Sequence, residues 1–183
     1  GYEVIIPEGI GSTCCGMMFN TRGFHRVAGD KGHELEEALL AASENGKYPI
    51  VMDTSPCLSQ LKGNLQSDAL KFALYEPVEF ISRFLVDKLE WRRVKDAVAV
   101  HVPCSSKQMG LAPHFAKVAD LCANSVVDSG IPCCGMAGDR GMRFPELPGA
   151  SLQHLGVAGC SDGYSTSRTC ELALSNQAGI DFR

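Results

Sequence analysis

The residues of this chain best suited to chemistry are its cysteines, of which there are nine among 183 residues. Two pairs of adjacent cysteines are each followed by glycine and methionine, as Cys14-Cys15-Gly16-Met17 and as Cys133-Cys134-Gly135-Met136. A single cysteine follows each pair roughly forty residues later, at Cys57 and at Cys170. Because the same arrangement occurs twice, it indicates an internal duplication.

The second half has one more cysteine ahead of its pair, Cys104, in the run His101-Val102-Pro103-Cys104-Ser105. The matching position of the first half would lie ahead of Gly1. The sequence starts without methionine and directly in a strand-like run, so we expect an excised fragment whose parent carries a further cysteine upstream. We predict a first cysteine-rich repeat at residues 1–95, truncated at its amino end, and a second at residues 96–183, together forming one compact fragment.

The elements that must position these cysteines alternate between strands and helices. Continuous apolar runs predict strands, and apolar residues at helical spacing predict helices. The predicted strands are residues 2–6, 48–52, 97–102 and 126–127, and the predicted helices are residues 33–45, 76–89, 113–123 and 169–178. Unbroken apolar strands that alternate with helices are typical of parallel sheet covered by helices. We therefore predict an α/β fold with two pseudo-repeated halves, each with parallel β-sheet flanked by helices.

Several cysteines come directly after a predicted strand. This is the position of Cys57, of Cys104 and of the pair Cys133-Cys134. Open α/β sheets bind their ligands in the crevice outside the carboxyl ends of their strands. We therefore expect the cysteine loops to lie at these strand ends and to bring their sulfurs to a common point.

Seven cysteines recur by position and form the candidate site. They are Cys14, Cys15, Cys57, Cys104, Cys133, Cys134 and Cys170. Gly16 and Gly135 permit the turn that two adjacent cysteines need to aim at one centre. Four thiolates suit an iron–sulfur cluster or a structural zinc ion, and ligands spread over three loops favour the cluster. We interpret Cys122 as a buried hydrophobic thiol, and Cys160 is either a bystander or an accessory ligand.

Bulk composition excludes other classes of function. The net charge is −4 and basic residues are not clustered, so no nucleic-acid partner is expected. No apolar run reaches the ~20 residues that cross a bilayer. An odd number of cysteines with two adjacent pairs fits a disulfide framework poorly. We therefore expect reduced thiols that bind metal in the cytoplasm, either free or peripheral at the inner face of the cell membrane.

Two residues near Cys104 are open to more than one interpretation. His101 could be a ligand or donate a hydrogen bond to sulfur, or it could be a strand-end histidine satisfied by backbone. Lys107, with Arg22, Arg140 and Arg143, could offset the negative charge of a thiolate-bound cluster, recognise a carboxylate, or simply lie at the surface.

The doubled Cys-Cys-Gly motif resembles the cysteine-rich domain of heterodisulfide reductases, which also occurs in iron–sulfur subunits of glycolate oxidase and lactate-utilisation proteins. Three runs are most similar to the domain that closes FAD-linked dehydrogenases of the D-lactate type. These runs are His101 to Ser105, Cys133 to Gly138 and Ser165 to Glu171. The resemblance covers essentially the whole chain. It implies that the parent protein has a flavin domain, with its FAD, and a ferredoxin-like segment upstream.

An electron-transfer role is what this resemblance implies. The flavin would accept a hydride from a 2-hydroxy acid, and electrons would pass through iron–sulfur centres to a quinone or a protein acceptor. The isolated chain would oxidise nothing by itself and has no catalytic residues. A 4Fe–4S cluster would be held in the second repeat by Cys104, Cys133, Cys134 and Cys170. The first repeat, with Cys14, Cys15 and Cys57, lacks the fourth ligand, so we expect the second site to be the occupied one.

The chain departs from the reductase branch in one respect. There each repeat ends in Cys-x-x-Cys and supplies five cysteines to a noncubane cluster, whereas Cys57 and Cys170 stand alone here. A cubane cluster, a zinc ion and an empty site therefore stay open. Two alternative functions follow: a zinc-bound or metal-free interaction module of the same complex, and thiol/disulfide chemistry at the Cys-Cys pair as in the reductase branch.

Overall fold

A computed structural model describes residues 1–93 and 95–183. The chain divides into two compact units, Gly1–Glu76 and Pro77–Arg183, and each contains parallel sheet together with helices. The predicted α/β fold class is therefore confirmed. The two sequence repeats, at residues 1–95 and 96–183, stay a prediction.

The first unit is mainly helical. Its elements are a 3₁₀ turn (Ile10–Ser12), helices α1 (Met17–Asn20), α2 (His25–Ala42), α3 (Ser55–Asn64) and α4 (Asp68–Lys71), and strands β1 (Ile50–Val51) and β2 (Leu74–Tyr75). The two strands pair in parallel, with Ile50 opposite Leu74, and α3 and α4 form the crossover between them. Helix α2 contacts α3, and α3 contacts β2. The leucines buried in this unit include Leu35, Leu39, Leu58, Leu61 and Leu70.

One predicted strand of this unit is wrong, and one helix is longer than predicted. Residues 2–6 have no regular secondary structure, and Val4 and Ile6 are largely exposed. A strand needs a neighbour to satisfy its backbone, and no strand of the described residues pairs with this segment. The helix predicted at residues 33–45 is confirmed, but it begins at His25. Glycines in its first half lower helix propensity, and tertiary contacts override that preference.

The second unit has a three-stranded sheet with helices around it. Its strands are β3 (Lys95–Val100), β4 (Ala123–Asp128) and β5 (Asp162–Tyr164). Its helices are α5 (Pro77–Phe80), which continues as a π-helical turn (Ile81–Leu85) and a 3₁₀ turn (Val86–Lys88), α6 (Cys104–Gln108), α7 (Ala112–Cys122), α8 (Arg140–Arg143), α9 (Glu146–Ser151) and α10 (Arg168–Ala178). The strands and helices predicted for this part of the chain are confirmed with small shifts of their ends. Strand β5 was not predicted.

All three strands are parallel and lie in the order β4-β3-β5. Strand β3 is therefore central, and the chain turns to its two sides in succession. One face of the sheet packs Val98, Val100 and Phe115 together, and the other packs Ala99 with a separate apolar cluster. A sheet that is covered on both faces explains why β3 reads as a continuous apolar run.

The end of the chain extends this sheet beyond β5. The N–H of Gly163 donates to the carbonyl of Asp181 over 2.8 Å, and the N–H of Arg183 donates back to Gly163 over 3.0 Å. Asp162 accepts hydrogen bonds from Lys95, over 2.7 Å, and from Arg183. These partners, Lys95 first, lower the pKa of the Asp162 carboxyl to about 2. The charged contacts hold β5 against β3.

Candidate cysteine site

Four cysteines of the second unit follow the carboxyl ends of its three strands. Cys104 begins α6 beyond β3, Cys133 and Cys134 lie in the segment after β4, and Cys170 is the third residue of α10 after β5. The order of the strands reverses at β3, and open α/β sheets form their ligand crevice at such a reversal. The predicted location at strand ends is confirmed, except that Cys104 and Cys170 lie in the first turns of helices rather than in loops.

Cys134 and Cys170 are in direct contact. Their Sγ atoms lie 3.0 Å apart, both are free thiols, and both side chains are buried. The hydrogen bond with Cys170 lowers the pKa of Cys134 to about 6, although burial opposes the shift. The same bond and burial raise the pKa of Cys170. The pair therefore shares one proton, which stays on Cys170 when Cys134 ionises.

Cys133 and Cys104 lie beside this pair. The half-buried Cys133 accepts a hydrogen bond from the N–H of Gly135 over 3.4 Å. Cys104 is the most exposed of the four cysteines. Burial of part of its side chain is nevertheless the main cause that raises its pKa. Negative charge on Cys133 and then on Cys134 raises that pKa further. Since such coupling needs proximity, the four thiols share one neighbourhood.

The glycine after each Cys-Cys pair has the conformation that the sequence predicts. Gly135 has a φ of 77°, in the left-handed region, and a Cβ placed there would lie 2.6 Å from Cα of Pro148. Gly16 has a φ of 82°, and its Cβ would lie 2.2 Å from the carbonyl oxygen of Ala28. Both positions therefore require glycine, for backbone conformation and for space.

The first unit has a second thiol pair of the same kind. Cys15 is buried, and a hydrogen bond from Cys57, in the first turn of α3, is the main cause that lowers its pKa to about 6. The pKa of Cys57 is raised by this bond and by burial. The sulfur of Cys14 accepts a hydrogen bond from the N–H of Gly16 over 3.4 Å, as Cys133 does in the second unit. The local geometry of the cysteines thus recurs in both units.

His101 has a partner that neither interpretation of the sequence included. Its ring is fully buried, and Nδ1 lies 3.0 Å from Oγ of Ser129, so its ring is bonded to a side chain and not to backbone. Burial is the main cause that lowers its pKa to about 4. His101 follows Ala99 by two residues, and Ala99 packs with Cys134 and Cys170. Because alternate residues of an extended chain share a face, His101 is on the same side as Ala99. Lys107 donates to the carbonyl of Ile131 over 2.8 Å.

Buried polar atoms without a hydrogen-bond partner collect near the ends of β3 and β5. In the described part of the second unit they include Nε2 of His101, Oγ of Ser106, Oγ of Ser165 and Oγ1 of Thr166. Each such atom costs roughly 1–3 kcal/mol if it stays unsatisfied. The three hydroxyls can donate or accept, and Nε2 of His101 does one or the other according to its tautomer, so these are polar atoms without a partner at the same strand ends as the cysteines. Sequence reasoning missed Ser106 and Ser129, for which the only signal was a hydroxyl shortly after a predicted strand.

The remaining two cysteines lie elsewhere in the second unit. Cys122 ends α7 and is half-buried, and burial raises its pKa. Cys160 packs at the margin of the apolar cluster around Ala99, and burial raises its pKa as well. Cys122 is less buried than the predicted packing role implies, so that role stays a prediction.

The thiols are chemically suited to bind a metal ion or a cluster, but they are not arranged as a preformed site. Within residues 1–93 and 95–183, no group of three or more His, Cys, Asp or Glu side chains is arranged to hold a metal ion. Tetrahedral zinc with bonds of about 2.3 Å separates its sulfurs by about 3.8 Å, and a cubane cluster separates them further because each iron takes one thiolate. Cys134 and Cys170 would have to move apart for either one. The four thiols and the unpartnered donors near them are nevertheless the groups that such a cluster requires.

Family models and curated proteins give no relative of this chain. No protein-family model matches the chain, and no curated protein matches it. Within the described residues, no helix combines the length and the apolar composition that crossing a bilayer requires. The function must therefore be argued from the cysteine site itself.

Proposed function

We propose that the chain is the iron–sulfur electron-transfer domain of an FAD-linked 2-hydroxy-acid dehydrogenase of the D-lactate type. The observation that carries this proposal is the contact between Cys134 and Cys170, with Cys104 and Cys133 electrostatically coupled to them. Four thiols from the ends of three parallel strands match what a 4Fe–4S cluster needs. The partners in this proposal are upstream flavin and ferredoxin-like domains and a quinone or protein acceptor, in the cytoplasm or at the inner face of the cell membrane.

The residues around the thiols have definite roles in this proposal. When bound, a cluster supplies a centre that accepts and releases one electron at a time. Cys134 is ionised near neutral pH, so it is ready to act as a thiolate ligand. Nε2 of His101 and Oγ of Ser106 are buried donors that would hydrogen-bond to sulfur. The apolar cluster that contains Cys134 and Cys170 keeps water away from their sulfurs.

Anaerobic reconstitution of the purified chain with ferrous iron and sulfide tests this proposal. We expect broad visible absorption that dithionite bleaches, together with a paramagnetic signal of the reduced cluster. The Cys170→Ser variant should lose both signals, whereas Cys122→Ser, which alters a half-buried thiol on α7, should keep them. A folded wild-type chain that takes up no iron under these conditions would contradict the proposal.

A second candidate function is a zinc-bound interaction module of the same complex. It is favoured by the close approach of Cys134 and Cys170, because their 3.0 Å separation needs less change to reach the ~3.8 Å of a zinc site than the wider spacing of a cluster. Elemental analysis of chain produced without added iron separates the two candidates. One zinc per chain, with no cluster after reconstitution, would select the module.

A further inference from the structure

Two free thiols of the second unit that are far apart in sequence are neighbours in space. The sulfurs of Cys134 and Cys170 are 3.0 Å apart. A disulfide bond is about 2.04 Å long, so the second-unit sulfurs need to approach by about 1 Å to form one.

The adjacent cysteines are less suited to forming a bond with each other. The Cα atoms of neighbouring residues are about 3.8 Å apart, below the usual range of roughly 4.4–6.8 Å across a disulfide. The sulfur of Cys133 is also turned to the N–H of Gly135, while the sulfur of Cys134 faces Cys170. Oxidation should therefore join the residues that are distant in sequence.

We propose that, in the metal-free protein, Cys134 and Cys170 form a dithiol site that converts reversibly to an intramolecular disulfide with a low-molecular-weight disulfide as the oxidant. One protein thiolate attacks a sulfur of the small disulfide, which forms a mixed disulfide and releases one small thiol. The partner thiolate then attacks the protein sulfur of the mixed disulfide, and the second small thiol leaves. The pair loses two electrons and two protons, which the two small thiols carry away.

Burial limits the access of the oxidant to this site. Cys134 and Cys170 are both buried, so an oxidant reaches them only when the surrounding loops open.

The proposal goes beyond electron transfer by a bound cluster and does not depend on it. Sulfurs joined in a disulfide cannot ligate a metal, because the thiolate is the ligand. Oxidation of Cys134 and Cys170 would thus compete with any metal for the same two atoms. A chain that forms the disulfide but takes up no cluster would refute the proposed function and leave this inference intact.

The test uses the 183-residue chain, freed of metal by a chelator and fully reduced. The chain is incubated without oxygen in buffers of defined glutathione and glutathione-disulfide ratio, quenched in acid and alkylated. Intact mass and peptide mapping then identify the bonds. We expect this bond to remove the mass of two hydrogens, a linked peptide that joins 134 to 170, and full recovery of both thiols on return to glutathione.

Matched variants keep the outcome decisive. Cys170→Ser should lose the linkage of 134 to 170, whereas Cys122→Ser should keep it, with circular dichroism confirming that each variant is folded. The proposal is overturned by a wild-type chain that keeps all its thiols across the whole redox range. A linkage of 133 to 134, or glutathione retained as a stable adduct on single cysteines, overturns it as well.

Discussion

In each Cys-Cys pair the two sulfurs contact different partners, and the glycine that follows the pair makes this possible. The sulfur of Cys134 meets Cys170 inside the second unit, while the sulfur of Cys133 stays at the backbone N–H of Gly135. An L-residue resists the left-handed conformation of Gly135, and a side chain there would also collide with Pro148. The glycine of the motif is thus a structural requirement of the thiol arrangement.

Replacing this glycine tests the requirement. We expect Gly135→Ala to lower the free energy of unfolding by at least about 2 kcal/mol more than Gly130→Ala does. Both glycines have positive φ, but a Cβ at Gly130 meets no atom within 4 Å. Urea unfolding of the two variants and the wild type measures the difference. Equal losses in the two variants would mean that backbone conformation alone fixes the glycine.

His101 gives a prediction about pH. Its pKa falls from 6.5 to about 4 in the folded chain, so the unfolded chain binds a proton first as the pH falls, and stability is lost below about pH 6.5. From pH 7.5 to pH 5 we expect the buried ring to cost the folded state about 2 kcal/mol. The measurement is urea unfolding of wild type and His101→Gln at both pH values.

A matched variant isolates this effect. His101→Gln should lose less stability than the wild type on acidification, since glutamine does not titrate. His154→Gln removes an exposed histidine instead, and we expect its profile to follow the wild type. The assignment fails if His101→Gln and the wild type lose stability in parallel.

At the scale of elements, apolar runs predicted strands where a neighbouring strand exists to complete them. Residues 97–102 and 126–127 correspond to β3 and β4, which pair with each other. The run at residues 2–6 has the right composition but no partner strand among the described residues, so it is not a strand. Tertiary pairing, which a single sequence does not display, decided between these outcomes.

Strand β5 is the reverse case, a strand that forms without an apolar run in its sequence. The sequence of Asp162–Tyr164 contains no apolar run, and an aspartate at its first position is more typical of a turn than of a strand. Asp162 is nevertheless buried and bonded to Lys95 and Arg183, which lie far from it in sequence or at the chain end. A strand held by long-range ion pairs leaves no local periodicity to recognise.

A buried carboxylate makes a comparable long-range contact in the first unit. Glu36 of α2 is buried and accepts hydrogen bonds from the N–H groups of Gln66, over 3.0 Å, and Ser67, over 2.6 Å, just ahead of α4. We expect Glu36→Ala to lower the free energy of unfolding by about 2 kcal/mol or more, because two backbone donors lose their acceptor.

The control for this prediction lies next to it on the same helix. Glu37 is exposed, so Glu37→Ala should change the free energy of unfolding by less than about 0.5 kcal/mol. Chemical denaturation followed by circular dichroism compares the two variants. The proposed role of Glu36 is wrong if both substitutions have the same small effect.

At the scale of the molecule, the two units share their cysteine geometry but differ in their sheets. Each has a left-handed glycine after its Cys-Cys pair and a buried thiol bonded to a distant cysteine. One unit has two strands and the other has three. The doubled motif singled out the recurrent thiols as candidate ligands, and that assignment stays a prediction. It did not predict which sulfur pairs with which, because the pairing depends on the direction in which each turn points its side chains.

The two units also differ in the number of cysteines they offer to a cluster, and this leads to a prediction about how many clusters the chain binds. The second unit offers four neighbouring thiols, from Cys104, Cys133, Cys134 and Cys170, whereas the first offers Cys14, Cys15 and Cys57. Since a complete 4Fe–4S site takes four ligands, reconstitution should load about four irons per chain and not eight.

Two cysteine variants identify which unit binds the cluster. We expect Cys134→Ser to lower the iron content to less than about a tenth of the wild-type value, because it removes one of four thiolate ligands. Cys15→Ser alters the equivalent buried thiol of the first unit and should leave the iron content and the spectrum of the reduced cluster unchanged. Iron and sulfide analysis, with absorption spectra of the same samples, makes the comparison. Equal losses in the two variants would show that both units bind iron, and the second unit would then have no special role as the electron-transfer site.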